Sequence, residues 1–473
     1  MIPRWLANGG PAAAWTRYLG SLAVLSAGVW LLATFYWDFG VLRLALLAAL
    51  VLFVLALRRW RRPPQPLHGG TLLRVALAFL LLGLGLSEAR TLRQATHAAL
   101  ATGRLRLDEG RTTLRAAQLL WRGENPYATG ALVDDTAFLA RLPLRQAAGV
   151  GPALPAAQVE ATLDRYLGSL DATTRRALLP AAPPGADATA RREVAVLGYK
   201  YGPVPLLLTA ALWPAAGAAA VPLSNGLACL GLFAVLGAIL LEAGAGTAAA
   251  GVAVAALMLD PLDSYYFVQW TATDVWPLLF GFLALLCALR RWHAGLGIAL
   301  ALALASKILP GALFLLLLPA ARSWRAAAWA AASAAVLLLP WLVLDARGFL
   351  HDVVLWGTLM APASNSWAFS APPGLVLAVR AALLLPLGWL AWRIAWRREP
   401  QMASGFALLA MLLIAGGAAM HNNYVPWFST WIVLAIAEAV CLPRPLRDLL
   451  AGTAAAAVAG KPRPARRPAP AAS

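Results

Sequence analysis

Apolar runs of about a dozen to twenty residues alternate along this chain with short polar or basic stretches, the spacing expected of helices that cross a membrane. The runs fall at residues 20–37, 41–57, 71–87, 203–217, 223–241, 247–259, 275–289, 295–305, 308–320, 326–344, 375–392, 402–420 and 425–442. They predict an all-α fold, a polytopic transmembrane helix bundle of about 11–13 apolar helices. Several runs are too short to cross about 30 Å at about 1.5 Å per residue, notably the pair flanking Ser306-Lys307, and these predict tilted or broken helices.

The polar stretches set a direction. Basic clusters at Arg58, Arg59, Arg61 and Arg62, at Arg290 and Arg291, at Arg322 and Arg325, at Arg393, Arg397 and Arg398, and in the tail 461–467 are expected on the cytoplasmic side. The loop 88–200 and the stretches 260–274, 345–374 and 421–424 then face outward. Of the 21 carboxylates, eleven lie in 88–200 and six more in or beside other outward segments. Acidic residues carry little topological weight, so their enrichment is a separate hint that the outer face is the working surface. If every run crossed, the basic tail would emerge on the wrong side; the alternation first fails between residues 203 and 274, which predicts one re-entrant segment there or two that fuse. The chain divides into an N-terminal hairpin with its basic loop (1–70), a transmembrane core carrying the long outer loop (71–442) and a basic tail (443–473) expected to be disordered and drawn to anionic lipid.

Composition narrows the function classes. Hydrophobic residues make up 61% and charged residues 13%, with mean hydropathy +0.69, where a soluble domain carries about 25% charged residues. A net charge of +18 would suit nucleic acid, but the basic residues recur in short clusters between apolar runs instead of forming one patch. Cys229, Cys287 and Cys441 lie in apolar runs without paired spacing, which supports neither a disulfide framework nor a zinc site. The first run lacks a small-residue cleavage site and is expected to stay as an anchor.

Within the outer loop, Arg111, Arg115, Gln118 and Arg122 recur at helical spacing opposite Leu114, Ala117, Leu120 and Trp121. This predicts an amphipathic helix lying flat on the outer leaflet, with Trp121 at headgroup depth and an end at Gly123. Asp108 and Glu109 stand at its start, where acids also favour the helix dipole, and Asn125-Pro126-Tyr127 forms the turn after it. Tyr199-Lys200-Tyr201-Gly202-Pro203 opens the next apolar run, and Tyr265, Tyr266 and Gln269–Asp274 occupy a further outward stretch. These aromatics suit either an interfacial belt or a sugar site. Lys307, one of three lysines in a chain of 36 arginines, interrupts two apolar runs just before Pro310. An ammonium among apolar helices needs a snorkel route, a partner or a function. His421 and Tyr424 bound the last outward turn.

Taken in order, these segments resemble GT-C-fold glycosyltransferases that use polyprenyl-phosphate sugars, in particular the bacterial polyprenyl-phosphate-mannose-dependent mannosyltransferase family. The matching elements are the acid before a helix with Ala116-Ala117 and Leu119-Leu120, then Gly123, Asn125-Pro126-Tyr127, the aromatic entry at 199–205, the lysine-to-proline break at 307–310 and the histidine–tyrosine element at 421–424. Gly202 stands where the family usually has a proline, and Thr112-Thr113 where it has an aromatic residue. The resemblance implies transfer of a mannose-like hexose from a polyprenyl-phosphate donor to a lipid or glycan acceptor, with inversion at the sugar, on the outer face of a bacterial cytoplasmic membrane. It implies Asp108 or Glu109 as the base and Tyr127, Lys200, Tyr201, Gln269, Lys307, His421 and Tyr424 as substrate-binding residues. It implies no cofactor and names no metal ligand, leaving a divalent cation open, and no nucleic-acid partner is expected. A transporter or lipid flippase, with Lys307 in a broken-helix substrate site, is the alternative from another class. Reporter fusions test the direction first: a fusion near Val150 should report from outside and fusions at both termini from inside, and a cytoplasmic signal at Val150 would put the acid-rich surface on the wrong side.

Overall fold

The computed structural model describes residues 71–103, 105, 108–128, 132–133, 196–197, 199–259, 265–355, 371–417 and 424–451, with residues 48, 51, 52, 54 and 55 of the N-terminal hairpin. The insertion 134–195, His421 and the basic tail lie outside these residues. Helices dominate: α1 (Thr71–Thr102), α2 (Asp108–Trp121), α3 (Pro203–Ala216), α4 (Ala220–Glu242), α5 (Thr247–Met258), α6 (Val275–Leu289), α7 (His293–Ser306), α8 (Ile308–Phe314), α9 (Leu317–Ala321), α10 (Trp324–Phe349), α11 (Pro373–Ala395), α12 (Met402–Gly416), α13 (Pro426–Val440) and α14 (Leu446–Ala451). A two-residue antiparallel bridge, Leu132–Val133 with Val196–Leu197, ties the ends of the outer insertion together.

Among the described residues, four helical stretches are long and apolar enough to cross a membrane: Arg74–Thr102, Pro203–Glu242, Trp324–Val354 and Gly374–Ala395. Three of them, in α1, α10 and α11, keep broad apolar faces uncovered, as at Phe79, Val343 and Leu385. The shorter helices α5, α6, α7, α12 and α13 are apolar on most faces and pack inside, which a helix does when protein surrounds it. An aromatic knot of Phe282, Phe314, Phe406 and Trp431 fills the space between them, with Phe406 and Trp431 stacked at 4.2 Å.

The bundle has two unlike ends. At one, Arg290 pairs with Glu242 at 2.9 Å and Arg393 with Glu399 at 3.2 Å, while α14 packs on α6, α9 and α12. Buried Glu438 accepts the backbone N–H groups of Met402, Ala403 and Leu446, so one carboxylate closes the starts of two helices. The basic clusters at 290–291, 322–325 and 393–398 therefore share this end. The other end carries Glu109, Lys200, Asp274, Lys307 and Tyr424.

The failed alternation has its cause in α3. This helix starts beside the α7–α8 break, where the Gly202 N–H donates to the Ser306 carbonyl at 3.1 Å. It ends near α1's last turn, where Trp213 and Ala218 pack on Ala99, Leu105, Leu114 and Val221. Gly217, at φ 53° and ψ −132°, then redirects the chain into α4. So α3 stays at the site end, and α4 alone runs to the basic end. With α3 removed from the crossings and α8 and α9 counted as one, α1 and α4 to α13 alternate in direction and return the chain to the basic end.

The stretch after α5 is pinned by α4. Asn225 donates from Nδ2 to the carbonyls of Phe267 and Ala272, at 2.8 and 3.0 Å, and accepts from Trp276 Nε1 at 3.0 Å. Thr271 within it has φ 63°, an uncommon conformation for a β-branched residue. Asn225→Ala removes three buried partners at once and should destabilise the fold by roughly 1–3 kcal/mol for each polar group left unsatisfied, read as a lower unfolding midpoint of the purified protein; an unchanged midpoint would mean the stretch holds itself in place.

Candidate functional site

Four helix ends meet at the site end, and those of α2, α6 and α7 bear the charge their dipoles favour. Glu109 lies in the first turn of α2, Asp274 is the residue before α6, and Lys307 separates the C-terminus of α7 from the N-terminus of α8. Carboxylates at helix N-termini and a cation at a C-terminus are each stabilised by about 0.3–1 kcal/mol. Lys307 leaves helical geometry at φ −156° and ψ 121°, and its side chain leaves the break toward both acids.

The Lys307 ammonium donates to Glu109 Oε1 at 3.0 Å and to Asp274 Oδ1 and Oδ2 at 2.9 and 3.0 Å. Glu109 Oε2 accepts from the Thr273 backbone N–H at 2.7 Å and from its hydroxyl at 2.9 Å, and Asp274 Oδ1 accepts from Trp427 Nε1 at 2.9 Å. Hydrogen bonds between charged partners of this kind are roughly twice as strong as neutral ones. Lys307 also lies 5.3 Å from the Tyr201 ring and 5.4 Å from the Tyr424 ring, and Lys200 is 5.6 Å from Tyr201. Side-chain exposure is 0% at Asp274, 8% at Glu109 and 15% at Lys307, so Asp274 is the deepest of the three.

A buried wall supports this cluster. Tyr127 packs against Tyr199, Trp341 and Phe349, and its hydroxyl donates to the Tyr201 carbonyl at 3.1 Å. Asn125 accepts the Tyr127 N–H on its side chain, which sets the turn, and the Tyr199 N–H donates to the Pro126 carbonyl. The Tyr199 hydroxyl meets Thr113 Oγ1 at 2.9 Å; burial pushes that phenol well above its ordinary range, only partly offset by the Thr113 bond, so it stays neutral. Thr113 also donates to the Glu109 carbonyl. Two glycines permit the close approaches: a Cβ at Gly110 would overlap Thr271, and a Cβ at Gly202 would overlap the Ala305 carbonyl.

Of the residues singled out in the sequence, Glu109, Lys200, Tyr201, Lys307 and Tyr424 come together. Asp108 begins α2, its side chain lying outside the described set, as does His421. Tyr127 holds Tyr201 from behind. Gln269 ends the turn Tyr265–Gln269, and no hydrogen bond joins it to the Lys307 cluster among the described residues. The apolar face of the amphipathic α2 packs along α3, with Thr113, Ala116 and Ala117 buried, and the Trp121 indole donates to the Ala210 carbonyl. Asp274, Thr273, Trp427 and Asn225 were missed as site residues. A counter-charge was the available signal, because a lysine amid apolar helices demands one and Asp274 directly precedes an apolar helix.

Among the described residues no group of three or more His, Cys, Asp or Glu is gathered as a metal site, and the two carboxylates here are bridged by Lys307. No protein-family model, curated protein or solved structure matches this chain.

Lys307→Met would leave two buried carboxylates facing each other, and loss of one partner from a buried pair costs about 3–5 kcal/mol. The variant should unfold at a lower temperature, and adding Asp274→Asn should recover part of the loss. If Lys307→Met unfolds like the parent, the ammonium is not what holds these helix ends together.

Proposed function

We propose that this protein is a membrane glycosyltransferase of GT-C type that moves a hexose from a polyprenyl-phosphate donor to a hydroxyl acceptor. One observation carries the reading. Five stretches far apart in sequence, at 108–127, 199–205, 271–274, 307–310 and 424–427, converge on one cluster of an ammonium, two carboxylates and aromatic rings at the end of the bundle opposite the basic clusters. Their meeting is what a shared active site requires.

In this reading Glu109 is the base. Its Oε1 edge faces the Lys307 side of the site and takes the proton from the acceptor hydroxyl as that oxygen attacks the anomeric carbon. The bond from that carbon to the phosphate oxygen breaks, and the phosphate leaves with the electron pair. Lys307 and Lys200 supply positive charge where the phosphate gains negative charge, and the Tyr201 and Tyr424 rings offer faces to the sugar C–H groups. Lys307 is shared: its donors already serve Glu109 and Asp274, so a phosphate must take one of them or pair with Lys200. Asp274 acts through Lys307, as a positioning residue.

The transporter reading draws on the same broken helix, but transporter sites of that kind lie near the bilayer midplane, whereas Lys307 sits at a bundle end. Purified protein with labelled polyprenyl-phosphate hexoses separates the two, since a flippase moves the lipid intact and a transferase yields a new glycoside. Glu109→Gln keeps the shape and should reduce transfer by about 10²–10⁴ while the protein remains folded. Transfer at the parental rate in this variant would move the base elsewhere, with Asp108 the first residue to examine.

A further inference from the structure

Several arginines at the basic end have a partner. Arg290 pairs with Glu242 and Arg393 with Glu399, while Arg398 lies 4.5 Å from the Trp392 ring and Arg325 5.9 Å from the Trp324 ring. Arg322 and Arg397 differ: among the described residues, no hydrogen bond or ion pair reaches either guanidinium. Arg322 directly follows α9, and Arg397 stands two residues beyond α11. Both take the left-handed conformation, at φ 49° and 53°, in which a helix end usually carries glycine. The helix dipole favours a cation at each of these ends, but not two cations side by side.

The two are neighbours because α9 packs against α11, and α14 packs against α9. Partial burial and the Arg322 charge hold Arg397 below the ordinary guanidinium range, and Asp448 of α14 offsets only part of this. Asp448 is itself bonded to Arg447 Nε at 3.3 Å. Three guanidiniums thus share one carboxylate, with Arg322 exposed and Arg397 half-buried. Beside this patch the bundle is open on its flank. Among the described residues α9 touches both α10 and α11, whereas those two long helices have little contact with each other, so α9 forms the floor of a cleft between them. Leu316 and Pro319 along this floor are open in part or in full, and Trp324 at its mouth is exposed. Basic pockets between membrane helices at a cytoplasmic face suit anionic headgroups, and a guanidinium fork grips phosphate oxygens two at a time.

We propose that Arg322 and Arg397 hold the phosphate of an anionic phospholipid from the leaflet at the basic end, with its acyl chains in the cleft between α10 and α11 over α9. The phosphodiester supplies the negative charge that these two helix ends lack, and the apolar floor takes the chains. This site lies at the opposite end of the bundle from Lys307 and does not depend on the transferase reading.

The test uses the full-length protein in maltoside micelles, which supply no phosphate, with phosphatidylglycerol and diacylglycerol carrying the same acyl-chain diazirine. Labelled peptides are mapped by mass spectrometry in the cleft, at residues 315–331 and 385–399, and on the exposed face of α1 as a reference for ordinary lipid contact. Relative to α1, phosphatidylglycerol should label the cleft about tenfold more than diacylglycerol, the worth of a charge-assisted pair. The double variant Arg322→Gln with Arg397→Gln should fall to the diacylglycerol level, and Arg290→Gln, at the same end but paired with Glu242, should label like the parent. In the parent protein, excess unlabelled phosphatidylglycerol should compete and millimolar inorganic phosphate should not, a result that needs no variant to fold. Four outcomes would each overturn the proposal: equal labelling by the two probes, undiminished labelling in the double variant, an equal loss in Arg290→Gln, which would mean a diffuse field, or competition by inorganic phosphate, which would mean a site for a free anion.

Discussion

A lysine ammonium cannot sit among apolar helices unpaired, and the way Lys307 is paired organises the rest of the site. Its partners Glu109 and Asp274 come from the starts of α2 and α6, so satisfying one charge fixes the ends of four helices: α2, α6, α7 and α8. Each acid is held by further donors, Thr273 for Glu109 and Trp427 for Asp274, which brings α13 into the same network. Removing the charge in such a setting leaves carboxylates without compensation, so the cluster is a structural clamp.

The clamp works only because backbone comes unusually close to it. Gly202 lets the Tyr201 segment lie on the α7–α8 break and donates its N–H to Ser306. A proline at that position would lack the donor and bring a Cβ into the Ala305 carbonyl. Thr113 works beside it, since its hydroxyl ties α2 to Tyr199.

The membrane character and the grouping of the basic clusters were legible because they depend on composition and on the length of apolar runs, which are local properties. Lys307 was legible for a related reason: one charge in an apolar run is conspicuous without any knowledge of its neighbours. Its partner Asp274 was not, because the pairing spans 33 residues of sequence and an acid before a helix reads equally as an ordinary start. The fate of α3 was legible only as a contradiction in the alternation. Its run is as apolar as a crossing helix, and what keeps it at one end is packing against α1 and α2 and the turn at Gly217. The two faces of α2 were legible, since Arg111, Arg115, Gln118 and Arg122 avoid the buried side, whereas the burial of Thr112 and Thr113, hydrogen-bonded within the helix, was not, because a hydroxyl reads as polar.

The central claim is that the Glu109–Lys307–Asp274 cluster is where a lipid-phosphate sugar is received. The most direct measurement is a cryo-EM structure of the protein in nanodiscs with a non-hydrolysable polyprenyl-phosphonate hexose. The account predicts the phosphonate within hydrogen-bond distance of Lys307 or Lys200, the sugar against Tyr201 or Tyr424, and the Glu109 carboxylate beside the anomeric carbon. Donor density at the basic end, or a donor that leaves the cluster untouched and out of reach, would contradict it.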